Sequence, residues 1–145
     1  MSATGLKVID TTVQTTSIWL NDLGEELGPD RQRCYHALRA VLHALRDRLT
    51  VDQAAHLGAQ LPMLVRGIYY EGWHPANKPL KLRSLDAFLQ HIGKGLQNVR
   101  PMGADDAARA VFRTLSRHIS ENELDQVRQA LPQAIRELWP DRRVE

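Results

Sequence analysis

The chain has 145 residues, of which 43% are hydrophobic and 25% are charged, and its net charge is +2. These values are typical of one soluble globular domain, and no apolar run approaches the roughly 20 residues that a membrane span requires. The small net charge does not by itself indicate a polyanionic partner. Because Cys34 is the single cysteine and no secretory signal is readable, we expect no internal disulfide and a cytoplasmic protein.

The first third of the chain predicts two long helices. Positions suited to a buried helix face recur every three or four residues, first at Val13, Thr16, Leu20, Leu23 and Leu27, then at Cys34, Leu38, Val41, Leu45 and Leu49. Between the two series, Gly28, Pro29 and Asp30 supply a helix stop, a turn and an N-cap carboxylate. No segment alternates at a period of two, so the sequence predicts an all-α fold.

Two short helices are predicted next. Thr50 and Gln53 have the spacing of a capping box, in which each side chain accepts a hydrogen bond from the other residue's backbone N–H. Pro62 disfavours helix at the residue before it. We therefore expect one helix to end near residue 60 and another to start with Pro62 at its first position, with one kinked helix as the alternative. Ser84, beyond a proline-rich stretch, is a suitable N-cap for the following helix.

The second half of the chain repeats the first. Residues 37–69 align without a gap on residues 107–139, and eight of these 33 pairs are identical. The preceding helices align at a shift of 69, which pairs Trp19 with Phe88. A second capping box, at Ser120, and a second proline fall at the matching places. This duplication predicts two tandem pseudo-symmetric repeats packed into one compact bundle.

The predicted organisation follows from this alignment. We expect a single domain over 1–145, made of a first repeat at 11–70, a linker at 71–83, a second repeat at 84–140 and a tail at 141–145. Acidic residues are concentrated in 1–30 and arginines in 31–50, so we also expect the first two helices to attract each other.

Three stretches, "ALRAVLHALRDRL", "HLGAQLPMLVRGIYYEGW" and "RHISENELDQVRQALPQAIRELWP", carry a family resemblance. From about Thr11 to Pro140, the chain resembles a bacterial family named only as domain of unknown function 2267. The resemblance implies an all-helical, internally duplicated fold, and an association with stress response through neighbouring genes. It carries over no catalytic residue, because none is established for the family.

Sequence motifs of known enzymes are missing. There is no dinucleotide-binding glycine motif, phosphate-binding loop, hydrolase nucleophile elbow or zinc-protease motif. His43 with Asp47 and Asp52 with His56 have the i, i+4 spacing of metal ligands, but two ligands do not make a site and the same pairs occur on helix surfaces. We therefore expect no catalytic residues, no metal and no cofactor.

The aromatic stretch "YYEGWHPANKPLK" gives the one candidate binding site. Its first residue aligns with Trp139, so Tyr69 is predicted to close the core. The following residues could be a tether whose tryptophan packs where the repeats meet. Alternatively, they line a groove for a ligand or partner. The candidate site residues are Arg66, Tyr70, Glu71, Trp73 and His74, with Trp73 half-buried.

Arginines that match between the repeats are expected to have structural partners. Arg39 matches Arg109 and Arg66 matches Arg136, so each is predicted to bind a carboxylate or a helix end. A basic rim for nucleic acid would consist of Arg31, Arg33, Lys78, Lys81 and Arg83.

Three classes of function stay open. An interaction or ligand-binding module in stress physiology fits best, with an unknown protein or small molecule as partner, no membrane and an undetermined oligomeric state. A nucleic-acid-binding protein is the alternative, disfavoured by the net charge. An enzyme of unrecognised type is third.

Overall fold

A computed structural model of the protein describes residues 3–99 and 101–140. Within these ranges the chain forms helices and no strand, as the sequence predicted. The helices are α1 (Lys7–Leu27), α2 (Arg31–Arg48), α3 (Val51–Ala59), α4 (Met63–Tyr70), α5 (Leu85–Lys94), α6 (Ala104–His118), α7 (Glu121–Gln129) and α8 (Gln133–Arg136). The predicted tail, 141–145, lies outside the described residues.

The turn between α1 and α2 forms as its three residues predicted. Gly28 adopts a φ of 99°, which a residue with a side chain rarely takes, and so ends α1. Asp30 then caps α2, because its carboxylate accepts hydrogen bonds from the N–H groups of Gln32 and Arg33 at 3.0 and 3.2 Å. The two long helices therefore run antiparallel with a short connection.

Both prolines break the helix instead of kinking it. Pro62 separates α3 from α4, and Pro132 separates α7 from α8. Each proline is the N-cap and not the first helical residue, since its ψ of 156° or 151° is extended. The prediction of a break is confirmed, and α4 begins at Met63, one residue after the predicted start at Pro62.

One of the two predicted capping boxes is complete. Thr50 and Gln53 form both reciprocal hydrogen bonds at the start of α3. At the start of α7, Ser120 accepts from the N–H of Glu123, but the Glu123 side chain contacts His56 on α3. The prediction of a second full box was wrong because a tertiary partner takes the carboxylate.

The helices of the two halves are interleaved. Helix α1 packs against α2, α4 and α6, whereas α5 packs against α2, α6 and α8. Helix α2 also packs against α6, and α3 against α7. The buried apolar residues form one cluster that includes Leu45 and Leu115, both fully buried. No helix of the described ranges is both long and apolar enough to span a membrane.

Three acidic residues of α1, Asp22, Glu25 and Glu26, pair with arginines of α6, whereas the sequence predicted an attraction to α2. Glu26 pairs with Arg113 at 3.0 Å, and Asp22 lies 3.4 Å from Arg117. Glu25 also pairs with Arg117. These ion pairs therefore join α1 to α6 in the second half of the chain, and not α1 to α2 as expected.

Candidate functional site

Arg66, the first predicted site residue, closes the end of α3. Its Nε donates to the carbonyl of Gly58 at 3.0 Å, and a terminal nitrogen donates to the carbonyl of Leu61 at 2.9 Å. The Gly58 carbonyl also accepts from the N–H of Leu61 at 3.2 Å, because Pro62, four residues after Gly58, has no N–H to donate. The expected structural partner of Arg66 is thereby found.

Tyr70 lies against α3. A Cβ atom at Gly58 would fall 2.3 Å from the Tyr70 hydroxyl oxygen, so only glycine allows this approach. The ring is also 5.0 Å from that of Tyr69 and 5.4 Å from that of Trp73, measured between centroids. Tyr69 itself is fully buried, as predicted, and its hydroxyl donates to the carbonyl of Ala54 at 2.7 Å.

Glu71 pairs with Arg39 across the surface. Their closest atoms are 2.9 Å apart, and the hydrogen bond from Arg39 lowers the pKa of the Glu71 carboxyl group. The Glu71 carbonyl accepts from Arg46 at 2.8 Å. Arg39 therefore has the carboxylate partner that the sequence predicted, and Arg109 has one in Asp105 at 3.2 Å.

Trp73 is half-buried, as predicted, and it packs against the core. Its indole N–H is buried without an acceptor among the described residues. His74 is exposed. The structure therefore brings Tyr70 and Trp73 together after α4, where Gly72 has a φ of 72°. Arg66 binds backbone carbonyls before α4, and Glu71 pairs with Arg39 on the surface.

A buried polar cluster joins α2 to α5 and was not recognised from the sequence. Asp47 accepts from Nε of Arg46 at 3.0 Å, and its other oxygen lies 3.1 Å from Nε2 of His91. Burial raises the pKa of Asp47, but hydrogen bonds from His91 and Arg46 outweigh it and the net pKa is lowered. Arg46 also donates to the carbonyl of Tyr69 at 2.6 Å. The cluster holds the aromatic turn against α2.

The two histidine–aspartate pairs considered as metal ligands do not form. His43 bonds to the carbonyl of Ile68 at 2.7 Å, and burial lowers its pKa. His56 contacts Glu123, and Asp52 lines a small pocket between α3 and α7. Within the part of the chain that the structure describes, no three potential metal ligands are grouped.

An apolar groove of about 570 Å³ lies between α1 and α4. Two large apolar side chains of its lining are exposed, Val8 from the start of α1 and Met63 from the start of α4. Their chain neighbours Leu6 and Leu64 are exposed as well. The Thr12 hydroxyl accepts from the backbone N–H of Leu64 at 2.9 Å and fixes the two helices together. The sequence did not predict this groove, because only their exposure in the folded chain distinguishes Val8 and Met63 from other apolar residues.

The residues of the predicted basic rim lie at opposite ends of α2. Arg31 bonds to Asn21 and Ser17, and Arg33 bonds to the carbonyls of Leu27 and Pro101. Lys78 and Arg83 are near the other end, some 25 Å away along an 18-residue helix. The described residues therefore do not form one continuous rim.

The family comparison agrees with this architecture. The model of an uncharacterized conserved protein family, DUF2267, matches residues 16–138. The chain belongs to the DUF2267 family. No curated protein sequence matches the chain. Membership therefore assigns no activity to this DUF2267 protein.

Proposed function

We propose that this DUF2267 protein is a non-enzymatic helical interaction module that binds an apolar segment of a partner protein in the α1–α4 groove. The observation that carries the proposal is that Val8 and Met63 both line the groove and are 54 and 51% exposed. Leu6 and Leu64, which are adjacent to the lining in the chain, are also exposed, at 59 and 41%. An exposed patch of this kind on a folded protein is typical of an interaction site.

The position of the groove in the chain supports the proposal. At the shift of 69, α5 corresponds to residues 16–25 of α1, so residues 7–15 have no helical counterpart in the second half. The groove is lined by this extra segment and by the start of α4. A duplicated bundle does not need these residues for its shared core, which leaves them free for another role.

The lining indicates the chemistry of the partner. Val8, Pro62 and Met63 provide apolar surface, and three threonines, Thr11, Thr12 and Thr15, also line the groove. Lys7 is the one charged residue of the lining. A helical or extended segment with apolar side chains and one carboxylate placed for Lys7 would fit this surface.

The predicted aromatic site belongs to the same proposal. Helix α4 carries Met63 at its start and Tyr70 at its end, about 10 Å away. Trp73 and His74 follow directly after it. A partner segment that lies along α4 would reach from the groove to Tyr70, Trp73 and His74. We therefore propose that these three residues form the far end of the binding surface.

The proposed module is one domain of two repeats. At the shift of 70, residues with matching roles include the N-caps Thr50 and Ser120 and the helix-breaking prolines. The pairing of α2 with α6 and of α3 with α7 places corresponding helices against each other, as an approximate twofold axis would. These features support the boundaries 11–70 and 84–140 with a linker at 71–83.

Site-specific crosslinking in cells tests the interaction. A photoreactive amino acid is placed at Met63 in one variant and, as a control, at Val51, which is 41% exposed and does not line the groove. We expect a crosslinked product with a second protein from position 63 only. Adding Val8→Asp should remove that product, because a carboxylate in the groove opposes apolar contact.

Other products would contradict the proposal. Equal crosslinking from positions 51 and 63, or a product insensitive to Val8→Asp, would show that the groove is not the binding surface. A product that contains two copies of this chain would replace the proposed partner by self-association.

A further inference from the structure

The sulfur-containing side chains of the described residues differ in their access to solvent. Cys34 is 1% exposed, and burial together with the nearby Asp30 carboxylate raises the pKa of its thiol. Since the thiolate is the form that peroxides attack, this cysteine is protected from oxidation. Met102 is half-buried and packs against the core. Met63, at 51%, is therefore the most exposed sulfur-containing side chain of the described ranges.

The fold keeps Met63 on the surface. Val65, two residues later in α4, is fully buried, and the helical repeat places Met63 about 200° away from it around the helix axis. The start of the helix is also held in place, because the backbone N–H of Leu64 donates to the Thr12 hydroxyl at 2.9 Å. The Met63 thioether therefore stays accessible to small molecules in solution.

Met63 is also part of the lining of the apolar α1–α4 groove, together with Val8 and Pro62. An unoxidised methionine suits such a surface, because its thioether is apolar and its chain is flexible. Oxidation to the sulfoxide makes the same side chain polar. When a partner segment covers the groove, the sulfoxide oxygen loses its contacts with water, and this loss opposes binding.

We propose that Met63 is a site of reversible oxidation and that its sulfoxide prevents the partner segment from binding in the α1–α4 groove. This inference rests on the proposed function of the groove. Hydrogen peroxide is the oxidant: its O–O bond breaks, one oxygen atom bonds to the Met63 sulfur, the sulfur loses two electrons, and the other oxygen leaves as water. A sulfoxide reductase that takes two electrons and two protons from a pair of thiols restores the thioether and releases water.

Peptide mass spectrometry tests the oxidation. The full chain is treated with a limiting amount of hydrogen peroxide, and the gain of one oxygen atom is followed at Met63, Met102 and Cys34. We expect Met63 to be oxidised several times faster than Met102, because it is more exposed, and Cys34 to stay reduced. Equal rates at the two methionines, or faster modification of Cys34, would overturn the oxidation site without affecting the proposed function of the groove.

Crosslinking in cells tests the effect of oxidation on binding. The photoreactive amino acid is placed at Thr11, an exposed residue of the groove lining, so that Met63 is retained. We expect added hydrogen peroxide to reduce the crosslinked product about tenfold. In Met63→Leu, whose side chain is apolar and has no sulfur, the product should be the same with and without peroxide. Met63→Gln, whose amide is polar like the sulfoxide, should reduce the product without peroxide.

The outcomes separate this inference from the proposed function. A product from Thr11 that peroxide does not change, or that peroxide reduces equally in Met63→Leu, would overturn control by oxidation and leave the groove as the binding surface. An undiminished product in Met63→Gln would do the same. Absence of any product from Thr11 before peroxide is added would contradict the binding function of the groove, and its control by Met63 with it.

Discussion

Arg66 and Arg136 make the same hydrogen bond, each to the carbonyl of the leucine five residues before it. The distances are 2.9 Å to Leu61 and 3.1 Å to Leu131. In both places a leucine–proline pair stops one helix and leaves its last carbonyls without helical partners. The arginine that is identical in the two aligned segments therefore caps the helix break in both.

Replacement of these arginines tests their capping role. Arg66→Ala and Arg136→Ala should each lower the free energy of unfolding, by about 1 kcal/mol per hydrogen bond lost, and Arg66 should have the larger effect because it makes two. Urea denaturation measures both. Arg109→Ala, which removes only an exposed pair within one helix, is the control and should change stability by no more than about 0.5 kcal/mol. Equal values for all three variants would rule out the caps.

The shared core predicts that damage in either half is felt by the whole chain. Leu45→Ala and Leu115→Ala should each cost about 2–5 kcal/mol, the usual range for a fully buried leucine. Calorimetry should show one unfolding transition that moves to lower temperature in both variants. Two transitions, with only one displaced by each change, would mean that the halves unfold independently.

Two glycines in neighbouring helices should respond in opposite ways to alanine. Gly67→Ala meets no atom within 4 Å and should stabilise the protein, by up to about 1 kcal/mol, through helix propensity. Gly58→Ala puts a methyl group against the Tyr70 ring and should destabilise it. Adding Tyr70→Ala to Gly58→Ala should remove the clash, so the cost of the double variant should be less than the sum of the single costs. Strict additivity in this cycle would mean that the two residues do not touch.

His43 should make stability fall as the solution becomes acidic. The pKa of His43 in the folded protein lies below the usual histidine value of about 6.5. The unfolded chain therefore takes up a proton at His43 first, and the free energy of unfolding decreases as the pH falls from about 6.5 to the folded-state pKa. Urea denaturation at pH 7.5 and 5.5 should therefore show a smaller drop for His43→Gln than for the natural protein. Identical drops would exclude His43 as the cause.

The aromatic turn should affect binding and stability differently at half-buried Trp73 and at exposed His74. Trp73→Ala should weaken the Met63 crosslink and also lower stability, because the indole packs on the core. His74→Ala should weaken the crosslink while unfolding stays unchanged, since His74 is exposed. A crosslink unaffected by either variant would confine the binding surface to the groove.

Helix positions could be predicted from the sequence because they depend on local patterns. Asp30, Thr50 and Ser84 each cap the helix that follows, and each needs only its own N-terminal N–H groups. Glu123 fails as a capping side chain because His56, 67 residues away, competes for it. Local rules give the helices, whereas the pairing of side chains between helices requires the tertiary arrangement.

The candidate site was predicted less well for a similar reason. Arg66 and Glu71 stood out by composition, but their partners, Gly58 and Arg39, are set by how α4 lies on the other helices. The groove escaped notice because Val8 and Met63 are ordinary apolar residues in sequence. Only their exposure distinguishes them, and exposure is a property of the folded chain.

Because α1 packs against α6 and α5 packs against α2, each half of the chain covers helix surfaces of the other half. A chain cut in the exposed stretch at 74–77 should stay assembled, because the helix pairs that join the halves, such as α1 with α6 and α2 with α5, lie outside this stretch. The two fragments, produced separately, would each expose a surface that the other covers. Each fragment could therefore be fused to a different protein, and recovery of the fold would then indicate that the two fusion proteins had associated.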